Sequence, residues 1–288
     1  MAREDWKRPA VFSAPEGRRR VALELSYDGR HFNGWQRQKD AVSVQENLTD
    51  AVVQMIGDRN VDVVGSGRTD SGVHAYGQVA HVEFDTCDIP AKAFHMGLNA
   101  RLPYSIRIRR SWDVDSSFHA RYSAMAREYR YFCRCGEPHD PFTDGLVTVL
   151  KEFPDMGLLN SYASEIVGTH DFTTFACSKD SCPSKVRDIY EAGFGWNESM
   201  YGIKLLCFRI AGNAFLYHMV RSLMGTMLDY AAENRTAGEF RDLLESRTRI
   251  LAGRTAPSDG LYLWRVSYDP QEYMWFEKKY GRKEDVNG

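Results

Sequence analysis

The sequence predicts an α+β fold made of two similar halves, and three observations lead there. Short runs with apolar residues at alternate positions are interleaved with longer runs of helical spacing. The first half reads strand, helix, strand, strand, helix, strand, and the second half repeats that order loosely. With 288 residues, the chain has enough length for one large domain or two modest ones.

Residues 1–17 read as a flexible leader and 278–288 as a charged tail, leaving an N-terminal domain at 18–124 and a C-terminal domain at 125–277. In the first domain, 20–27 alternates into a strand. Ser43-Val44-Gln45-Glu46 is a capping box opening a helix through Leu48, Val52 and Met55, which Gly57 closes. Strands at 61–64 and 78–84 flank a glycine-rich loop. Asp88 and Pro90 start a second helix through Phe94 and Leu98, and 105–114 is a strand with Ile106 and Ile108 inward. In the second domain, strands are expected at 128–135, 185–193, 201–211 and 262–268. Helices are expected at 155–167, from about 213 to 234, and after the cap Thr236-Ala237-Gly238-Glu239. Strand order of this kind is a split β-α-β, ferredoxin-like arrangement.

Composition narrows the function. No apolar run approaches the roughly 20 residues of a membrane-spanning helix, and charge interrupts the first residues, so a cytoplasmic protein is expected. Six cysteines lack zinc-ligand spacing, Cys133-Arg134-Cys135 being too tight, so free thiols and no metal are expected. A net charge of -2 gives no global attraction to nucleic acid. Arginines nevertheless crowd together at Arg101, Arg107, Arg109, Arg110, Arg121, Arg127, Arg130 and Arg134, interleaved with Trp112, Tyr122, Tyr129 and Tyr131. Arginine and aromatic residues in one region favour an RNA surface, with Arg107 and Arg109 as phosphate contacts. A solvated charged face has the same composition.

The loop Gly65-Ser66-Gly67-Arg68-Thr69-Asp70-Ser71-Gly72-Val73-His74 is where chemistry is expected. It lacks the Gly-Lys-Ser/Thr ending of a phosphate loop, is followed by a strand rather than a dinucleotide-binding helix, and is no Gly-x-Ser-x-Gly elbow. Asp70 is its only carboxylate and Arg68 its only guanidinium. Either Asp70 shapes a turn through its own backbone, or a rigid pair of strands displays it as a reactive group.

Gly67 to Ala75 resembles the active-site motif of the tRNA pseudouridine synthase A family. Tyr27-Asp28-Gly29-Arg30-His31-Phe32-Asn33-Gly34-Trp35-Gln36 is similar to the family's opening motif, and Arg127-Glu128-Tyr129-Arg130-Tyr131 to its tyrosine strand. Asn213 to Arg221 resembles its basic helix, and Ala256 to Leu263 its closing loop and strand. The resemblance implies a central mixed sheet flanked by helices, with the active-site cleft between the halves. It implies an isomerase converting uridine to pseudouridine in the tRNA anticodon stem-loop, at positions 38, 39 and 40, without a cofactor. Asp70 would be the nucleophile, attacking the ribose or the uracil or first removing a sugar proton. Tyr129 would stack on the target uracil, Arg221 would supply a counter-charge, and Arg68 would hold or displace the flipped nucleotide. Trp35 and Gln36 would touch RNA, although for Trp35 a buried tryptophan anchor is the better reading of the pattern. A homodimer with tRNA as partner completes what the resemblance implies.

Overall fold

Alternation and capping set the elements of the computed structural model, which describes residues 13–269 apart from Thr86 and Pro138. The tail and most of the leader lie outside the described residues. Two compact units are present, the first ending at Ala124 and the second beginning at Met125.

In the first unit, β1 (Arg18–Tyr27) is the central strand. β3 (His74–Asp85) and β4 (Ile106–Asp113) flank it antiparallel, and the short β2 (Asp62–Gly65) pairs antiparallel with β3. The helix α1 (Val44–Ile56) starts where Ser43 Oγ accepts from Glu46 N at 3.2 Å and stops at Gly57, whose φ is 77°. It buries Val44, Leu48, Ala51 and Val52, while α2 (Ala91–Asn99) buries Ala91, Phe94 and Leu98. Phe94 stacks on Phe84 of β3 at 5.3 Å, which fixes the helix-covered face of the sheet.

Nearly all of β3 is buried, on both faces. The reason is a polar cluster under residues 116–120. Arg20 Nε donates to Glu83 Oε2 at 2.6 Å, and Arg20 also donates to the carbonyls of Ser116 (2.8 Å) and Phe118 (2.7 Å). His81 Nδ1 accepts from Ala120 N at 3.0 Å, and its ring lies 4.9 Å from that of His119. A buried ion pair whose hydrogen bonds are completed by carbonyls holds a loop in place without leaving a charge uncompensated.

The second unit is a mixed sheet centred on β5 (Ala126–Cys135). β9 (Lys204–Gly212) and β10 (Leu261–Ser267) flank it antiparallel, β8 (Val186–Glu198) pairs with β9, and β7 (Gly168–Asp171) pairs with β8. The three-residue β6 (Thr148–Leu150) runs parallel to β5. β6 and β7 are too short for alternation to reveal them. Helices α3 (Met156–Glu165), α4 (Met219–Ala232) and α5 (Ala237–Glu245) share an aromatic core, with Tyr162 stacked on Phe240 at 5.2 Å and Tyr230 edge-on to Phe240 at 5.6 Å. Thr236 and Glu239 form the expected capping box.

The predicted helix from about 213 begins later, at Met219. Asn213 N is drawn to Asp188 O at 3.0 Å and Tyr217 N to Asp180 Oδ2 at 2.6 Å, so these amides serve distant partners and not a first helical turn. His218 then turns the chain in the left-handed region, with φ 63°. Among the described residues, the cysteines are free and no helix is long and apolar enough to cross a membrane.

Burial of His81, aided by the charges of His119 and Arg20, lowers its pKa to about 3, and burial lowers that of His119 to about 4. Both folded values lie below the unfolded one, so the stabilisation is complete above about pH 6.5 and is lost as pH falls toward 3. The unfolding free energy should therefore drop between pH 6.5 and 4, by up to about 1.4 kcal/mol per pH unit for His81. Urea titrations across that window should show a flatter slope for His81→Gln, and an unchanged slope would contradict the assignment.

Candidate active site

The glycine-rich loop is held from below by strands and from the side by the segment after β1. Ser66 N donates to Val79 O at 2.7 Å, Ser66 Oγ to Gln78 Oε1 at 2.6 Å, and Gln78 Nε2 to Gly67 O at 2.9 Å. Ser66 and Gln78 are buried, so these bonds replace water completely. Tyr27 Oη lies 2.8 Å from Thr69 Oγ1. Trp35 N donates to Thr69 O at 3.1 Å and Gly72 N to Phe32 O at 3.3 Å, so the two loops are stitched through their backbones.

Such close contact dictates which residues fit. Gly34 has φ +88°, and a β-carbon there would lie 2.4 Å from Thr69 O. Within the loop, Val73 N donates to Asp70 O at 3.1 Å, closing a turn whose Gly72 has φ 78°. Thr69 is buried, Asp70 half-buried and Arg68 exposed. Asp70 thus sits in a turn, as one reading required, and that turn is fixed from several directions, as the other required.

His74 is buried, with Nδ1 accepting from Gly29 N at 3.0 Å and lying 3.4 Å from Asp28 Oδ1. Burial raises the Asp28 carboxyl, but the hydrogen bonds and charge of Arg30 outweigh that and hold it below the usual range. His74 therefore orients the loop by accepting the Gly29 amide beside the Asp28 carboxylate.

Trp35 is only 2% exposed, and its ring fills the space a side chain at Gly65 would need, with the nearest indole atom 2.5 Å from the β-carbon position. It is an anchor beneath the loop, which removes its face from RNA. Gln36 Nε2 donates to Gln45 Oε1 at 2.7 Å, tying the segment to α1. Arg107 donates to the carbonyls of Leu102, Pro103 and Ile106 and caps the ring of the exposed Tyr104 at 4.7 Å. The exposed Arg109 lies over Tyr76 at 4.2 Å and donates to Tyr76 O at 3.0 Å. Both arginines are thus stacked on aromatic rings, which leaves guanidinium edges for an anion.

In the second unit, Tyr129 is 7% exposed on β5 and meets Phe215 edge-on at 5.0 Å. Arg221 lies in the first turn of α4, half-buried. Its Nε donates to Ala256 O at 2.8 Å, and its own carbonyl accepts from Ala256 N at 3.0 Å. A β-carbon at Gly225, one turn on, would overlap Arg254 O at 1.9 Å, so α4 packs backbone-to-backbone on this segment. The side chain of Arg221 is thereby steered from both ends.

Tyr27 and Gln78 are supports that sequence reasoning missed. Gln78 was visible as the one amide in an apolar strand, and Tyr27 as the last residue of β1. Neither position discloses that its partner is the loop.

The sequence matches the family described as tRNA pseudouridine synthase over residues 25–123 and 162–269. It is 42% identical over 252 residues to tRNA pseudouridine synthase A of Bacillus subtilis (strain 168), covering 87% of this chain and 99% of that protein. The proteins of the same name from Bacillus pumilus (strain SAFR-032) and Anoxybacillus flavithermus (strain DSM 21510 / WK1) are 40% and 42% identical over the same shares. The chain belongs to the tRNA pseudouridine synthase family.

Gly34→Ala should cost roughly 2–3 kcal/mol, because it combines a left-handed backbone with a collision against Thr69 O. Chemical unfolding measures this, and a stability equal to wild type would show that the two loops are not locked together.

Proposed function

We propose that this protein converts uridine to pseudouridine in tRNA, at positions 38, 39 and 40 of the anticodon stem-loop, with Asp70 as nucleophile. The observation that carries the reading is the many-sided fixation of the turn bearing Asp70, in a chain of this family. A carboxylate that must meet one atom of a flipped nucleotide gains rate from being placed in advance. The names of the relatives support tRNA as the substrate class.

Over the whole reaction the C1′–N1 and C5–H bonds break and the C1′–C5 and N1–H bonds form. Along the ribose route, one of the three open to Asp70, a carboxylate oxygen bonds to C1′ as the C1′–N1 bond breaks, and the electron pair leaves on uracil. The base turns so that C5 faces C1′, and the C1′–C5 bond displaces the carboxylate. C5 then loses its proton to a base while N1 gains one, so atoms and charge balance. Tyr129 offers its ring to the detached uracil, which would otherwise lose its stacking partners. Arg221 is assigned the role of positive counter-charge on family likeness. Arg68, exposed beside Thr69, is suited to the phosphate of the displaced nucleotide.

The fold reading extends in the same direction. The order β4-β1-β3-β2 with two helices supports a split β-α-β unit, and β10-β5-β9-β8 repeats that order. A homodimer working in the cytoplasm is part of this proposal on family likeness.

Asp70→Asn should reduce isomerisation by on the order of a thousandfold or more while tRNA affinity changes little, because shape survives and the nucleophile does not. Tritium release from uracil-labelled tRNA, read beside a binding titration, measures both. Substantial turnover in the Asn variant would leave Asp70 as a turn residue. Arg109→Glu should weaken tRNA binding and reduce the dependence of log affinity on log salt by about 1, without changing which uridine reacts. Unchanged affinity and slope in a salt titration would make Arg109 an ordinary surface residue.

A further inference from the structure

Residues 213–218 link β9 to α4, and both second-unit residues of the proposed site depend on them. Phe215 packs against Tyr129, and Arg221 follows in the first turn of α4. One end of the link is fixed at Asn213, whose carbonyl accepts from Arg127 at 2.7 Å and whose side chain pairs with Asp188. Residues 177–185 hold the other end. Cys177 N donates to Tyr217 O at 3.0 Å, and Asp180 Oδ2 accepts from Tyr217 N at 2.6 Å. The second oxygen of Asp180 accepts from Lys185 Nζ at 2.6 Å and Cys182 N at 2.8 Å.

Asp180 is nearly buried, its side chain 7% exposed. Burial opposes its charge, yet Lys185 and the amides of Tyr217 and Cys182 hold the carboxyl below its usual range. Next in the chain stands His218, a left-handed non-glycine residue at the start of α4 with no side-chain cap. Such backbone persists only where its surroundings over-determine it. The bonds on Tyr217 provide that determination from one side.

We propose that Asp180 is a positioning residue for the isomerisation. By fixing Tyr217 it holds the turn at His218, and so sets how α4 aims Arg221 and how Phe215 backs Tyr129. The inference rests on the functional reading above and adds a residue in the Cys177-Ser178-Lys179-Asp180-Ser181-Cys182 loop, which is not among the sequence motifs that carry the family resemblance.

Single-turnover pseudouridine formation on unmodified tRNA, with tRNA affinity and Tm measured in parallel, tests it. Wild type is run first, and failure of wild type to react removes the functional reading and this inference with it. With wild type active, Asp180→Asn should lower the saturated single-turnover rate about ten- to a hundredfold while tRNA Kd changes less than about twofold. Lys185→Met keeps the carboxylate and its backbone bonds, and should lower the same rate by roughly threefold or more. If the Asn variant does not fold, the Lys185→Met rate decides. A wild-type rate in the variant that decides, or a loss confined to Tm or Kd, would overturn the assignment.

Discussion

The backbone lock between residues 29–35 and the loop at 65–74 is the constraint on which the first unit depends. Two main-chain hydrogen bonds join Trp35 to Thr69 and Gly72 to Phe32, and Gly34 allows an approach that no other residue would. Once those loops are joined, Trp35 must be buried, Thr69 must meet Tyr27, and His74 must face Gly29. The buried Ser66, Gln78 and Thr69 hydroxyl and amide groups find partners, so the arrangement is cheap to bury and costly to deform. Asp70 inherits this rigidity through the turn it shares with Val73.

Local signals were legible in the sequence and remote ones were not. Ser43 and Gly57 bound α1 because caps act on their own helix, and Thr236 with Glu239 bounds α5 for the same reason. The start of α4 was misplaced because Asp188, Asp180 and Cys177 recruit the backbone of 213–217, and those residues lie far off in sequence. Trp35 shows the same limit on the side of function. An aromatic residue in a glycine-bearing loop suits RNA or a core, and only the vacancy at Gly65 decides for the core. For the Asp70 loop, three glycines and a carboxylate mark a special turn locally, whereas Gln78 is one amide among apolar neighbours and gives no sign of what it holds.

The second unit reaches a comparable rigidity by different means. Gly225 lets α4 touch the segment of Arg254 and Ala256, and Arg221 exchanges hydrogen bonds with Ala256 through both its backbone and its side chain. At the opposite end, Asn213 and Asp180 hold the link that precedes the helix. Arginine suits this placement because its planar guanidinium carries several N–H donors, one of which serves the Ala256 carbonyl.

Isomerisation of uridine within tRNA is the activity on which the proposed roles of Asp70, Tyr129 and Arg221 rest. The most direct measurement is incubation of the purified protein with unmodified tRNA, followed by mapping of pseudouridine along the whole molecule. The account predicts pseudouridine confined to positions 38, 39 and 40 of the anticodon arm. Unaltered uridine throughout, in tRNA that the protein demonstrably binds, would contradict it.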